Sequence, residues 1–373
     1  MASENLNWYE VRNADEIASP ALLVYPERIE ENIRRMIAVA GGDANRLRPH
    51  VKTHKMTEII KLQMKYGIQK FKCSTIAEVE LVASCGARDI LLAMQPVGPA
   101  IRRLFELQNL YPKILFSAIV DNEKIIKEIS DYARRINSSM NLWLDINIGM
   151  NRTGVLAGPE ALGLYEYTRK SGFVKMAGLH VYDGHNHEPD PVVRRNIFNE
   201  CMVNLTKLTE SILKKGFQNP AIIAGGSPTF PFFAENKQME LSPGTMVFWD
   251  QGYSDSFKDM DFLHAAVLLM RIVSKPAKNL LCFDLGTKAI ASEMPHPRVK
   301  IFGLDNYKVF SHFEEHLVIE SGDSERYNPG DVFYGIPVHI CPTVARYESV
   351  SVILKNRYTQ QWQVEARNRK LTV

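Results

Sequence analysis

Short apolar runs alternate with longer helical patterns for some two hundred residues, and this alternation limits the possible folds more than any other feature of the chain. Eight runs begin near Arg48, Phe71, Ile90, Ile114, Leu142, Ala177, Ala221 and Met246. The stretches between them have recognisable helix ends. "MTEIIKLQMKYG" carries Ile59, Ile60 and Met64 and stops at Gly67. Thr75 with Glu78 reads as a capping box, Asp121 as the cap of "DNEKIIKEISDYARRI", and a long helix runs from about Pro191 to Lys215. Strand–helix alternation on this scale means βαβ units and a parallel sheet. Eight such units close most simply into a (β/α)8 barrel, which needs roughly 200 residues or more. A doubly wound open sheet is the competing solution, and the lack of GxGxxG after the first run counts against it.

Two pieces fall outside the count. "ALLVY" (Ala21 to Tyr25) is a ninth strand-like run ahead of a helix from about Pro26 to Ala40. From about Phe262 the pattern changes to extended segments, among them "NLLCFDLG", "HLVIE", "DVFYGIP" and "SVSVILKNR", separated by Pro, Gly, Asn or Asp turns. The expected organisation is a barrel over residues 26–255 and a β-rich domain over 256–373, joined by the N-terminal strand at 19–25. A length of 373 residues suits two domains. A formal charge of +3 without long runs of like charge gives no basis for a nucleic-acid partner, and no apolar run is long enough to cross a bilayer. Five scattered cysteines without a CxxC fit a reducing compartment, and the N-terminus lacks a basic-then-apolar leader pattern. The expectation is a soluble cytoplasmic enzyme.

"RLRPHVKTHKM" concentrates unusual chemistry at the first run. Read as a strand, it puts Arg48, His50, Lys52 and His54 on one face, with Lys52 aimed at the barrel mouth. An amine crowded by cations and desolvated by a barrel wall is a nucleophile that can hold an aldehyde cofactor as a Schiff base. A basic patch that binds phosphate or meets solvent is the other reading. "AIIAGGSPTF" follows the seventh run, where barrels often bind phosphate, and its Gly225, Gly226 and Ser227, with Thr229 close behind, can turn backbone amides toward an anion. In "GIPVHICPTV", His339 and Cys341 sit two apart in an apparent strand and would face the same way. Such a pair can share a metal ion, or be a small core residue beside a satisfied surface histidine. "DINIGMNRTG" sets Asp145 and Arg152 around a glycine turn, as a salt bridge or with the guanidinium on a carboxylate ligand.

The motifs "LRPHVKTHK", "LDINIGMNRTG", "GLHVYDGH", "AGGSPT", "LSPGTMVFWD", "FDLGTKAIASE" and "VHICPTV" resemble the D-threonine aldolase and D-serine dehydratase family of fold-type III pyridoxal phosphate enzymes, related to alanine racemase. The resemblance covers nearly the whole chain. It implies an alanine-racemase-type barrel followed by a β-rich domain, in a homodimer that acts on a small D-amino acid. It implies Lys52 as the Schiff-base lysine, with His50, Arg152, Tyr182, Gly225, Gly226, Ser227 and Thr229 around pyridoxal 5'-phosphate. It implies a divalent metal, zinc or manganese, at His339 and Cys341, the thiolate favouring zinc. His185, after Tyr182, resembles the aldolase histidine that acts on a β-hydroxyl, whereas the cysteine of "HICPTV" resembles the dehydratase branch. The expected activity is retro-aldol cleavage of D-threonine-like substrates to glycine and an aldehyde. The alternative is dehydration of D-serine or 3-hydroxyaspartate to a 2-oxo acid and ammonia. A racemase would need a second base, which no residue here matches, and non-catalytic pyridoxal phosphate barrels lack the β-rich domain and the HxC pair.

Overall fold

A computed structural model of the chain describes residues 6–373. The chain divides into two compact units: residues 34–52, 59–244 and 368–373 form one, and residues up to 33, 53–58 and 245–367 form the other.

After β1 (Ala21–Val24), the parallel strands are β2 (Lys70–Cys73), β3 (Asp89–Leu92), β4 (Leu115–Val120) and β5 (Met140–Asn147), with the two-residue β6 (Val155–Leu156) beside β5. They continue through β7 (Val174–Val181), β8 (Ala221–Ala224) and β9 (Met239–Leu241), in the spatial order β2-β3-β4-β5-β7-β8-β9. Residues 47–50 connect the two edges. Leu47 bridges Leu241 of β9 and His50 bridges Lys72 of β2, both in parallel. The sheet therefore closes into the expected barrel, with this bridged segment in first place.

The segment itself departs from the strand expected of "RPHVKT". Pro49 has no N–H for a ladder, and the chain turns into a short 3-10 helix at Val51–Thr53. The alternation that would put Arg48 beside Lys52 therefore fails. Arg48 is fully buried and serves the fold: its guanidinium forks onto Asp89 with two bonds of 2.7 Å and donates from Nε to Glu240 at 2.8 Å. Lys70 also pairs with Glu240. Asp89 and Lys70 are the first residues of their strands, so this ionic knot lies at the N-terminal end of the barrel.

The eighth strand also differs. "MVFWD" is a 3-10 turn at Thr245–Val247 leading to a short helix, Gln251–Ser256, and the strand is β9. Three residues flanked by Asn236 and Pro243 carry too little periodicity to stand out, whereas Met246, Val247 and Phe248 are apolar because they are buried. Two helix caps shift similarly. Asn122, not Asp121, accepts the capping N–H from Lys124, while Asp121 accepts from the Gly154 amide. Thr75 caps Glu78 as expected, but the Glu78 carboxylate reaches back to Ser74.

Parallel strands covered on both faces should be apolar throughout, and β3 and β4 are almost wholly buried. Leu91, Ile119, Trp143 and Ile223, one from each of β3, β4, β5 and β8, form a packed interior cluster. Gly178 of β7 is required there, since a Cβ would lie 2.2 Å from the Ala221 carbonyl oxygen and 2.7 Å from the Trp143 ring.

The other unit is a nine-stranded sheet. Its remaining strands are β10 (Ala266–Ser274), β11 (Leu280–Phe283), β12 (Val299–Ile301), β13 (Tyr307–His312), β14 (Leu317–Ser321), β15 (Val332–Pro337), β16 (Ser349–Leu354) and β17 (Arg357–Gln363). The spatial order is β13-β14-β11-β10-β1-β16-β17, with β15 against β10 and β12. β1 pairs antiparallel with β10 and parallel with β16, so the start of the chain is a central strand of the β-rich sheet. Leu23, Val267, Leu269, Ile336 and Ile353 anchor its core.

Candidate active site

The C-terminal ends of the barrel strands carry one cluster of ionisable groups. β5 and β7 are in register with Asp145 opposite His180, and the pair is bonded, Asp145 Oδ1 to His180 Nδ1 at 2.6 Å. Burial raises the Asp145 pKa, but the bonds from His180 and Thr153 outweigh it and hold the carboxyl below its ordinary value. Burial lowers His180 against the pull of Asp145. The pair is thus a carboxylate beside a neutral imidazole whose Nδ1–H points at Asp145. On its other side, His180 Nε2 lies 3.5 Å from Lys72 Nζ of β2. Lys72 is buried, and desolvation followed by the nearby Lys52 charge pushes its pKa down to about 7.

Tyr182 is the hub of this cluster. The Lys52 and Lys72 ammonium nitrogens lie 6.0 and 5.6 Å from its ring centroid, and the Arg152 guanidinium 4.9 Å. Gly184 allows that placement, since a Cβ there would fall 2.2 Å from the ring. Ile119, Asp145, Arg152, Thr153, His180 and Tyr182 share one cavity. Three cations around one ring, with the Asp145 carboxylate already bonded to His180, leave an excess of positive charge that suits an anionic ligand. His50 places Nδ1 3.3 Å from the Lys52 amide, where it accepts that N–H.

The glycine turn follows β8. Gly225 takes φ +96°, a conformation open to glycine, and its N–H donates to the Val181 carbonyl. Gly226 N–H and the Thr229 hydroxyl both donate to Asp183 Oδ1, at 3.1 and 2.8 Å. Burial raises the Asp183 pKa, and its Oδ2 has no hydrogen-bond partner among the described residues. Gly244 N–H reaches Ser227 Oγ at 3.4 Å. Ser242 donates its backbone N–H to Ala224 at 3.0 Å, beside the turn, while its buried hydroxyl has no hydrogen-bond partner among the described residues. A buried hydroxyl without a partner costs free energy unless a ligand meets it. The Gly225 and Gly226 amides, expected to face an anion, are thus given to protein acceptors, and the Ser242 hydroxyl together with the cations around Tyr182 is what fits a phosphate-bearing aromatic ligand.

His185 is exposed, and its charge acts on Asp183 of the glycine turn. Its ring rests against Gly149, where a Cβ would come within 2.7 Å of Nε2, and Nε2 is 3.7 Å from Cys201 Sγ.

The β-rich unit holds a second cluster. His339 and Cys341 are not in a strand: β15 ends at Pro337, His339 caps the short helix Ile340–Val344, and Cys341 lies in its first turn. The turn nevertheless brings the two side chains into a hydrogen bond. His339 Nδ1 is 2.5 Å from Glu293 Oε1, and Cys341 Sγ is 3.3 Å from Thr53 Oγ1 and 3.7 Å from Thr245 Oγ1. Burial lowers the His339 pKa, but Cys341, Glu293 and Asp250 together bring it up to about 9. Asp250 is buried, which raises it to about 6, and its carboxylate accepts the N–H groups of Ile340 and Tyr253 at 3.0 Å each. Among the described residues, no group of three or more His, Cys, Asp or Glu side chains is arranged to hold a metal. His339 and Cys341 are two donors, one fewer than the three protein ligands of a catalytic zinc site.

Sequence reasoning missed Lys72, Asp183, Ser242, Asp250 and Glu293. Lys72 left one signal, a lysine inside the otherwise apolar run "FKC". The others are ordinary polar residues whose burial only the fold decides.

Comparison with known proteins gives a consistent result. The alanine racemase N-terminal domain family matches residues 24–251, and a serine dehydratase domain family matches residues 265–353. A D-threonine aldolase of Arthrobacter sp. is 26% identical over 94% of this chain and 93% of its own length. A D-threo-3-hydroxyaspartate dehydratase of Delftia sp. is 22% identical over 92% of this chain and 96% of its own. The crystal structure of a D-threonine aldolase from Filomicrobium marinum superimposes with a TM-score of 0.88, at 23% identity, over 96% of this chain and 98% of that one.

Proposed function

The chain belongs to the fold-type III pyridoxal phosphate enzymes with an alanine-racemase-type N-terminal domain, a family that makes it a pyridoxal phosphate-dependent lyase, and from that premise we propose that it cleaves D-3-hydroxy amino acids of the D-threonine type to glycine and an aldehyde. The observation that carries the cofactor reading is the set of three cations, Lys52, Lys72 and Arg152, around the Tyr182 ring. In this reading residues 26–255 form the cofactor-binding barrel, and residues 256–373 with 19–25 form the β-rich domain. The protein works as a homodimer on a small D-amino acid in the cytoplasm. Among the described residues no helix is long and apolar enough to cross a membrane.

Pyridoxal phosphate, when bound, supplies an electron sink for bonds at the substrate Cα. Lys52 Nζ holds the cofactor's aldehyde carbon, and the freed amine can then take or return a proton at the substrate Cα. Arg152, Tyr182 and His50 flank the ring. Beside the Gly225–Gly226 turn, whose amides go to Val181 and Asp183, Ser227 and the Ser242 hydroxyl would receive the phosphate, and Thr229 acts through Asp183, which it ties to Gly226. His339 and Cys341 would hold a divalent ion, zinc or manganese, which would supply a Lewis acid for the substrate β-hydroxyl. His185 removes the hydroxyl proton.

Cys341 supports a second reading. Thiolate with imidazole would favour zinc, whose Lewis acidity would suit loss of a hydroxyl in dehydration to a 2-oxo acid and ammonia. Incubation with D-threonine and with D-serine separates the two. Aldehyde and glycine from D-threonine support the aldolase; a 2-oxo acid and ammonia alone replace it with the dehydratase. Turnover of neither, or simple racemisation, ends both readings.

A further inference from the structure

The proposed reaction gives Lys72, a buried ionisable group of the barrel, no step of its own. Lys72 is 2% exposed, and a lysine is almost never fully buried without a partner. The groups that face it are Lys52 from the Val51–Thr53 turn, Arg48 from the bridged segment, Asp145 from β5, Arg152 from the following loop, and His180 and Tyr182 at the end of β7. Only Asp145 is anionic, and its Oδ1 is bonded to His180. With Nδ1–H given to Asp145, His180 Nε2 is an acceptor, and the Lys72 ammonium is the donor that meets it at 3.5 Å. Lys72, His180 and Asp145 therefore form a buried chain that holds one dissociable proton beside the ring of Tyr182.

We propose that Lys72 is the switchable cation of the cluster around Tyr182: when protonated it helps hold the anionic cofactor beside Lys52, and its deprotonation sets the alkaline limit of cofactor binding. The inference rests on the reading of Lys52 as the cofactor lysine. Lys72 is a positioning residue, since it acts through charge and through the orientation of His180, while Lys52 makes the covalent bond. Its placement explains why three cations converge where one lysine would suffice for that bond. The shift of Lys72 to about 7 fits a proton released near neutrality.

The test is a titration of the metal-replete protein with pyridoxal phosphate from pH 6 to 9, following the visible absorption of the lysine-bound cofactor. Wild type, Lys72→Met and Lys72→Arg are compared, so that ionisations of the ligand and of Lys52 are common to all three. In the wild type, affinity falls about tenfold for each pH unit above the Lys72 midpoint, the slope set by loss of one proton. In Lys72→Met, affinity at pH 6.5 is at least tenfold weaker and lacks that inflection. Lys72→Arg, whose charge does not titrate, binds as the wild type does at pH 6.5 and keeps its affinity at pH 8.5. Melting curves at pH 6 separate this from a structural role, because loss of a buried, poorly compensated charge leaves the melting temperature equal or higher, whereas loss of a structural strut lowers it. An identical inflection in the wild type and Lys72→Met overturns this inference alone. No visible band in the wild type overturns the reading of Lys52, and this one with it.

Discussion

The two ionisable clusters of this protein are built on opposite principles. At the barrel end, cations outnumber anions around Tyr182, and burial with like charge drives Lys72 down to about 7. In the β-rich unit, acceptors surround a single imidazole, and Cys341, Glu293 and Asp250 drive His339 up to about 9. The first environment attracts an anion and weakens the hold of Lys72 on its proton. The second attracts a cation, since thiol, carboxylate and imidazole all become better metal ligands on losing a proton. The contrast shows that one chain can build two sites of opposite electrostatic character from ordinary side chains.

The contrast can be broken most severely at Lys52. Lys52→Ala should abolish the visible absorption of the bound cofactor and reduce turnover by roughly 10³-fold or more, the scale seen when a covalent nucleophile is removed. A retained band would move the assignment to Lys55 or Lys72. Next in size is the ionic knot that the site cluster must be distinguished from. Arg48→Met should cost about 3–5 kcal/mol of stability by leaving Asp89 and Glu240 without their buried partner, measured by denaturant melts. A loss below 1 kcal/mol would mean that the knot contributes little. In the β-rich unit, Cys341→Ala should remove most of the bound divalent metal, as read by elemental analysis, and full occupancy would refute the assignment. Glu293→Gln should weaken metal binding roughly 10–100-fold, as loss of an orienting partner does, because Glu293 fixes the His339 ring through Nδ1.

The smallest effect is a pH dependence. The folded-state pKa of Lys72, about 7, lies below its ordinary 10.5, so the unfolded chain binds more protons between those values. The Lys72 contribution therefore makes the protein more stable as pH rises through that window. Lys72→Met should flatten the rise, and an unchanged slope in a urea series from pH 7 to 10 would show that Lys72 is not strained in the fold.

How much of this was readable from the sequence depended on whether the signal was local. The barrel was readable because parallel strands must be apolar and crossover helices amphipathic, and both periods repeat. It failed where that link weakens. Pro49 interrupts the first strand, and β9 is only three residues long, while Met246–Phe248 is apolar through burial in a turn. Lys52, Arg152 and Tyr182 were read from family motifs, and the structure places them together. His339 and Cys341 meet through a helix cap, a geometry that the spacing alone does not distinguish from a strand. Ser242 remained invisible, and Lys72 showed only as a lysine in an apolar run, because burial without a sufficient partner is a property of the assembled fold. Arg48 was placed on the face of His50 and Lys52 by alternation, and its partners Asp89 and Glu240 reach it from distant strands.

The account depends on one covalent bond, and that bond can be mapped directly. Wild-type protein is loaded with pyridoxal phosphate, reduced with borohydride, digested and sequenced by mass spectrometry. The phosphopyridoxyl group is predicted on Lys52. Its appearance on Lys55 or Lys72, or its absence from every peptide, would contradict the assignment of the barrel cluster as the cofactor site.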